Sequence, residues 1–241
     1  MASNSETGHA INIANLNKLN KVNEGFGASY QPSNPLLTLG MMKTQYETCF
    51  ALQEEVNVQN GIFIPIVNAR QILFRPIKPL VRRIRSAVKV SGANVEFYND
   101  VNTIVTKLLG ERMSKVATTA NDPAGTSTSQ QSYDNQANFF GAMIELLRNE
   151  LLYVPNETAL KVVTLEILYA DMNAANDAVK AGIVPHNNAL IARNVALYTR
   201  TTGLTDVGQA SKDYVRSVFG YSSPEFKLVS GIKFRRSVKI D

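Results

Sequence analysis

Cysteine and histidine are nearly absent from this sequence. Cys49 is the single cysteine in 241 residues, and His9 and His186 are the only histidines. One cysteine excludes a disulfide within the chain and a zinc site built from several cysteines. We expect Cys49 to lie in the core, His9 to be solvated in a polar tail, and His186 to be solvated or to cap a helix. A di-iron site, which needs two Glu-x-x-His pairs, and a Ser-His-Asp triad are both disfavoured.

The common nucleotide-binding loops are missing too. The sequence contains neither a G-x-x-x-x-G-K-[ST] loop nor a G-x-G-x-x-G loop after a strand. Carboxylates such as Glu54 with Glu55, and Glu145 with Glu150, fall on predicted helix faces. Nothing in the sequence marks a site that would raise their pKa, so we interpret them as solvated charges. We therefore expect no enzyme, cofactor or metal site, and infer no small-molecule substrate.

Signals for membrane targeting are also missing. Residues 1–9 are polar and contain Glu6 but neither lysine nor arginine, unlike a secretory signal. The longest apolar runs are too short to span a bilayer. The expected location is the cytoplasm, and export by a route without an N-terminal signal stays open.

The remaining composition is that of a globular protein. Hydrophobic residues make up 44% and charged residues 19%, which excludes a disordered chain. The length is high for one domain but within the single-domain range. A net charge of +5 suggests affinity for something anionic, although charge alone is weak support for nucleic-acid binding.

Apolar residues recur every three or four positions along most of the chain, which predicts helices. A short first helix carries Ile13, Leu16, Leu19 and Val22. The predicted helices after it are 35–59, an element at 62–91, 94–111, one with Phe140 and Leu147, one from Leu160 to Gly182, one from Pro185, 205–219, and a last short segment from Ser222 to Phe234.

Glycine and proline mark the expected helix ends. Gly61 and the Gly182 to Pro185 stretch are predicted to separate helices. Pro76 and Pro79 predict a break or bend near Arg75 to Lys78, because proline in a helix interior removes a hydrogen bond and costs about 3 kcal/mol.

The predicted fold is all-α, an antiparallel helical bundle of about six helices. We divide the chain into an N-terminal arm with a short helix (1–34), the bundle (35–222) and an extended C-terminal arm (223–241). A flexible connector at about 114–131 is rich in Ser, Thr, Ala and Gln. No internal repeat is apparent, which argues against a solenoid.

Several stretches of the chain form a distinctive set. They are Tyr30 to Asn34, Ser132 to Asn135, Pro185 to Asn194, and a C-terminal block of Asp213 to Gly220, Ser223 to Lys227 and Gly231 to Phe234. Together they resemble a family of helical proteins common in Bacteroidota, and the C-terminal block is the most specific part of the resemblance. The resemblance runs nearly end to end and implies a helical fold. It implies no activity and no catalytic residues.

Charge is distributed unevenly along the chain. No aspartate or glutamate occurs between Val56 and Val95. The same stretch places cations three or four residues apart at Arg75, Lys78, Arg82, Arg85 and Lys89, which we call the basic face. Like charges at this spacing repel by about a few tenths of a kcal/mol per pair, so an anionic neighbour would be favourable. Three neighbours stay open: the acids of the helices around Glu145 and Glu166, a protein partner, and nucleic acid or a membrane surface.

Both ends of the chain carry apolar residues that need a surface to dock on. At the C-terminal end, Ile232, Phe234, Val238 and Ile240 alternate with Lys233, Arg235, Arg236 and Lys239. The surface they use lies either on the same chain or on a neighbouring copy.

We expect a non-catalytic protein that acts through its surfaces, most favourably by self-assembly or scaffolding. Its tentative contacts with other copies are Ile13, Leu16, Leu19, Val22, Ile232, Phe234 and Val238. The alternative is a binding module for nucleic acid or an anionic surface, through the basic face from Arg75 to Lys89.

Overall fold

The computed structural model describes residues 8–111 and 131–236, and these residues are all-α. They contain eight α-helices, three short 3₁₀ turns and no strand, so the predicted fold class is confirmed. The helices are α1 His9–Gly25, α2 Leu39–Phe74, α3 Ile77–Val90, α4 Val95–Leu109, α5 Tyr133–Asn149, α6 Val162–Tyr198, α7 Leu204–Phe219 and α8 Pro224–Ser230. The connector predicted at 114–131 lies, except for Gln131, outside the described residues.

Local side chains explain where several helices begin. The side chains of Asn94, Ser132 and Ser223 accept hydrogen bonds from backbone N–H groups in the first turns of α4, α5 and α8. Each bond satisfies a donor that has no partner within its helix. The starts predicted near these residues are confirmed.

Proline coincides with a break between helices at one place in the chain but lies inside a continuous helix at two others. The predicted break is confirmed, since α2 ends at Phe74 and α3 begins at Ile77, with Pro76 as its N-cap. By contrast, α2 continues through Gly61 and α6 continues through the Gly182 to Pro185 stretch, where we had expected interruptions, and Pro65 also lies inside α2. The carbonyls that Pro65 and Pro185 leave without a helical donor belong to exposed Gly61 and Ala181, so water can satisfy them.

The described chain forms two compact units, which differ from the predicted arm, bundle and arm. Unit 1 contains residues 8–62 and 183–236, and unit 2 contains residues 63–111 and 131–182. The long helices α2 and α6 therefore each contribute to both units. The segments we had predicted to be separate arms belong to unit 1.

The structure also reveals a repeat that the sequence analysis did not detect. In each half of the chain a helix of 17 residues, α1 or α5, leads into a Tyr-x-Pro turn at Tyr30 or Tyr153. A 3₁₀ turn, Pro35–Leu37 or Thr158–Leu160, then precedes a helix of 36 or 37 residues. Two shorter helices follow, α3 and α4 in the first half and α7 and α8 in the second.

The Tyr-x-Pro turn has the same internal hydrogen bond in both halves. Tyr30 Oη donates to Leu37 O, and Tyr153 Oη donates to Leu160 O, each at 2.9 Å and across seven residues. Arg70 and Arg193 are separated in sequence by the same distance as these two tyrosines. The two halves are thus built from corresponding elements.

Each unit combines the early elements of one half with the late elements of the other. The core of unit 1 joins α1 and the first part of α2 to α7 and α8, through residues such as Leu16, Met42, Leu204 and Val215. The core of unit 2 joins α5 and the first part of α6 to α3 and α4. Its central residues include Ile84, Val105, Phe140, Met143 and Leu165.

Candidate anion-binding face and groove

One side of α3 is apolar and buried, and the other is cationic. Ile77, Val81, Ile84 and Val88 are at most 1% exposed and face the core of unit 2. The basic face lies on the remaining surface, where Lys78, Arg82 and Lys89 are exposed and Arg85 is half-buried. Arg75, in the turn before α3, is exposed as well. The helical spacing of hydrophobic and charged residues explains this separation.

The basic face has few anionic neighbours within the described residues. Arg82 and Arg85 lie 3.9 and 3.7 Å from the carboxylate of Glu111, just after α4. Lys78 Nζ donates to Leu109 O, which lies at the C-terminal end of α4. Long, exposed ion pairs of this kind contribute about 0–1 kcal/mol, so one carboxylate compensates little of the charge.

The acids we had considered as partners for the basic face are used elsewhere. Glu145 and Glu166 both pair with Arg148, each at 2.6 Å. Meanwhile Arg75, Arg83 and Lys89 form no ion pair with any residue in the described ranges. Within the described residues, the cations on and just before α3 therefore outnumber the carboxylates that pair with them, and Glu111 is the one that does.

A groove of about 760 Å³ lies beside α3, between this helix and the turn that follows α5. Arg82, Arg83, Ser86, Ala87 and Val90 line it from α3. From the facing side it is lined by Leu152, Tyr153, Val154, Pro155, Asn156, Glu157 and Leu160. The groove thus has a mixed lining, in which aliphatic side chains alternate with polar groups that include two arginines and one carboxylate.

The facing side is held in shape by Tyr153. This side chain is 5% exposed, and burial raises the pKa of its phenol to about 12. The side chains around it are unusually exposed, since Val90 and Val154 are 83% and 78% accessible. Large aliphatic residues in such positions are typical of surfaces that bind a ligand or partner.

Unit 1 has the corresponding turn, but there a tyrosine fills the groove. Tyr214 lies in α7 as many residues after the helix start as Ala87 does in α3. Its ring packs edge-on against Tyr30 at 5.2 Å, and its Oη accepts a hydrogen bond from Gln31 N at 3.1 Å. Alanine in place of this ring leaves the groove of unit 2 open.

Unlike the exposed basic face, the apolar residues of the terminal segments are largely covered by the rest of unit 1. Ile13, Leu16, Leu19 and Ile232 are buried in the core of unit 1, and Val22 and Phe234 pack partly buried against it. This corrects our assignment of these residues as contacts between copies, because their apolar surface is already covered within the chain. Val238 lies outside the described residues.

Polar groups fix the C-terminal segment in place. The Asn12 side chain donates to Arg235 O at 2.8 Å and accepts from Arg235 N at 3.1 Å, as a neighbouring strand would. The buried Lys212 ammonium donates to Ile232 O at 2.6 Å. The ring of Phe234 lies against Gly208, where a β-carbon would come within 2.5 Å of it. The sequence analysis did not identify Asn12 of α1 as a residue that holds the C-terminal segment.

The two histidines and the cysteine show no catalytic arrangement among the described residues. Cys49 is buried, as predicted, and burial raises the pKa of its thiol to about 11. His9 is not simply solvated, since its Nδ1 lies 2.8 Å from Tyr198 Oη, and burial together with Arg193 lowers its pKa. His186 lies within α6, with Nε2 2.9 Å from Asn60 Oδ1.

Residues 8–111 and 131–236 contain no group of three or more His, Cys, Asp or Glu side chains arranged to hold a metal ion. Within the same ranges, no helix combines the length and the apolar character that a membrane span needs.

Comparison with family models, with curated proteins and with solved structures finds no match for this chain. The resemblance to a Bacteroidota family stays a prediction. Function must therefore be argued from the surfaces themselves.

Proposed function

We propose that this protein is a non-catalytic helical binding module that recognises a phosphate-rich partner through the basic face of unit 2. The observation that carries the proposal is the set of exposed cations without ion-pair partners among the described residues, namely Arg75, Arg83 and Lys89. Arg75 and Lys89 belong to the basic face, and Arg83 lies beside it on the same helix, next to Arg82. Phosphodiester anions on nucleic acid or on lipid headgroups offer the matching charge.

A charge-reversal experiment tests the proposal. Binding of the protein to duplex DNA, single-stranded RNA and phosphatidylserine vesicles is measured at low salt. The variant Arg83→Glu/Lys89→Glu should weaken binding to the true partner about tenfold or more, and that binding should decrease steeply with salt. The arm that responds identifies nucleic acid or lipid as the source of the phosphate.

The matched control reverses two exposed cations of unit 1. Lys21→Glu/Lys227→Glu changes the net charge equally but places the new acids on α1 and α8, which belong to unit 1. If both double variants weaken binding to the same degree, only net charge matters and the proposal fails. It also fails if the unmodified protein binds none of the three probes.

A second candidate, self-assembly, is supported by α6 rather than by the ends of the chain. Exposed small or aliphatic residues recur along this helix at intervals of three, four or seven residues, a heptad spacing that lets helices pair and that is interrupted at Asp177 and Asn188. They are Val163, Ile167, Ala170, Ala174, Ala181, Val184, Ile191 and Val195. A second copy presenting the same stripe is the occupant that we propose.

Light scattering across a concentration series tests this candidate. Ile167→Glu/Ile191→Glu should lower the mass of the particle in solution, because it places charges in the proposed seam. Leu151→Glu/Val218→Glu introduces the same charges at exposed positions off α6 and should leave the mass unchanged. A monomer at all concentrations before mutation would remove the candidate.

A further inference from the structure

The groove of unit 2 is suited to a ligand different from the phosphate groups proposed to bind the basic face. In unit 1, the corresponding groove holds the phenol ring of Tyr214, which meets the edge of Tyr30 and a backbone N–H. In unit 2, the tyrosine of the turn and its hydrogen bond are retained, as Tyr153 bonded to Leu160 O. The ring that would complete the arrangement is missing, because α3 carries Ala87 at that position.

The backbone of unit 2 retains the donor that a phenol would use. Val154 follows Tyr153 as Gln31 follows Tyr30, so its N–H corresponds to the group that bonds Tyr214 in unit 1. The Val154 N–H lies 3.2 Å from Leu152 O, only two residues before it. This bond, across only two residues, closes a tight turn, and the phenol hydroxyl would replace Leu152 O as the acceptor of the Val154 N–H.

Charge around the groove defines the other end of the ligand. A tyrosine ring is attached through its Cβ, which at position 87 would stand beside α3. Arg83 lies one helical turn before Ala87, on the same side of α3, and forms no ion pair with a described residue. Arginine recognises carboxylates by paired hydrogen bonds. The Glu157 carboxylate also lines the groove and opposes the anion.

We propose that the groove of unit 2 binds a small aromatic acid, a phenol ring carrying a carboxylate opposite its hydroxyl. The ring occupies the space above Ala87, the hydroxyl meets the Val154 N–H, and the carboxylate meets Arg83. The simplest probe is 4-hydroxyphenylacetate, which is the side chain of tyrosine with a carboxylate added. A ligand of this size is expected to bind with a Kd of about 1 mM.

The test is a titration of the ¹⁵N-labelled full chain with 4-hydroxyphenylacetate, followed by backbone amide shifts. Saturable shifts are expected at Val154 and Asn156. Ala87→Tyr fills the groove as Tyr214 fills that of unit 1, and should remove these shifts. Its melting temperature reports whether the variant stays folded. Absence of saturable shifts in the unmodified protein, or their persistence in a folded Ala87→Tyr variant, would overturn the proposal.

Charge variants provide a second test that does not block the groove. Arg83→Gln should weaken 4-hydroxyphenylacetate about fivefold and leave p-cresol, which lacks the carboxylate, unaffected. Glu157→Gln should strengthen the acid by a similar factor. Equal effects on both probes, or no effect of either variant, would contradict the assigned orientation.

The aromatic-acid site and the proposed phosphate-binding function can fail separately. Ala87→Tyr leaves every cation of the basic face in place, so this variant should bind DNA, RNA or vesicles as the unmodified protein does. Loss of that binding in a folded Ala87→Tyr variant would mean that the groove is part of the phosphate-binding surface and would contradict a separate small-molecule site.

Discussion

Units 1 and 2 are assembled from corresponding helices, yet they present different surfaces. In unit 1 the Tyr-x-Pro turn is closed by Tyr214, and α7 balances Asp206 and Asp213 against Lys212 and Arg216. In unit 2 the same turn borders an open groove, and α3 carries cations without a single acid. The shared elements satisfy the core, so the residues outside it are free to differ. Function is therefore expected where the units diverge.

The two units also differ in the second of their two short helices, which is α4 in unit 2 and α8 in unit 1. In unit 2, α4 runs for 15 residues and covers α3 with an ordinary apolar face. In unit 1, α8 has only 7 residues, and the extended segment after it provides Ile232 and Phe234 instead. Unit 1 thus depends on the extended segment that follows α8.

The largest expected effect comes from removing residues 232–241. Unit 1 loses the buried side chain of Ile232, the partly buried ring of Phe234 and one acceptor of the Lys212 ammonium. Together these losses should reduce the free energy of unfolding of unit 1 by about 4 kcal/mol. Hydrogen exchange should rise in α1 and α7 and stay unchanged in α4 and α5. Unchanged exchange in α1 would contradict the role of this segment.

A smaller effect separates the two turn tyrosines. Tyr30 Oη contacts Leu37 O, Ser211 Oγ and Met42 Sδ, whereas Tyr153 Oη is bonded to Leu160 O. Tyr30→Phe should therefore cost about 2 kcal/mol and Tyr153→Phe about 1 kcal/mol, because more buried groups lose their partner in unit 1. Chemical denaturation of the two variants measures the difference. A larger cost for Tyr153→Phe would reverse the comparison.

The smallest expected effect concerns pH and belongs to unit 1. Burial, followed by the charge of Arg193, lowers the pKa of His9 below its ordinary value of 6.5. Below pH 6.5 the unfolded chain therefore binds a proton that the folded chain takes up only at lower pH. The contribution of His9 is fully present above pH 6.5 and decreases as the pH falls toward the folded pKa.

Replacing the imidazole isolates this effect. His9→Gln should flatten the dependence of the unfolding free energy between pH 7 and pH 5, measured by denaturation across that range. In unit 2 the first residue of α5 is Tyr133, as His9 is the first residue of α1. The guanidinium carbon of Arg70 lies 4.1 Å from the centre of the Tyr133 ring. An equal slope before and after the substitution would show that another group titrates.

The sequence predicted the elements of this fold better than their combination. Hydrophobic spacing located α1, α3, α4 and α7, and the cap residues Asn94, Ser132 and Ser223 marked three helix starts. The continuity of α2 and α6 was missed because local rules place helix ends at Gly61 and at the Gly182 to Pro185 stretch, and the structure in addition accommodates Pro65 and Pro185 within these helices. In the structure the freed carbonyls are simply exposed.

Long-range pairing explains the remaining errors. The repeat escaped detection because few residues other than the turn tyrosines, their prolines and Arg70 with Arg193 coincide. The basic face could be predicted from charge spacing alone. Only the structure shows how few acidic groups pair with it among the described residues. No pattern in the sequence distinguishes Ala87 as an open position, since its meaning depends on Tyr153 and on comparison with Tyr214.

The most direct test exchanges the two residues that distinguish the grooves. In the variant Ala87→Tyr/Tyr214→Ala, a tyrosine should close the groove of unit 2 and its absence should open that of unit 1. Titration with p-cresol, observed by backbone amide shifts, should then move the perturbed signal from Val154 to Gln31. A signal that remains at Val154, or one that disappears from both positions in a folded variant, would contradict the equivalence of the two units.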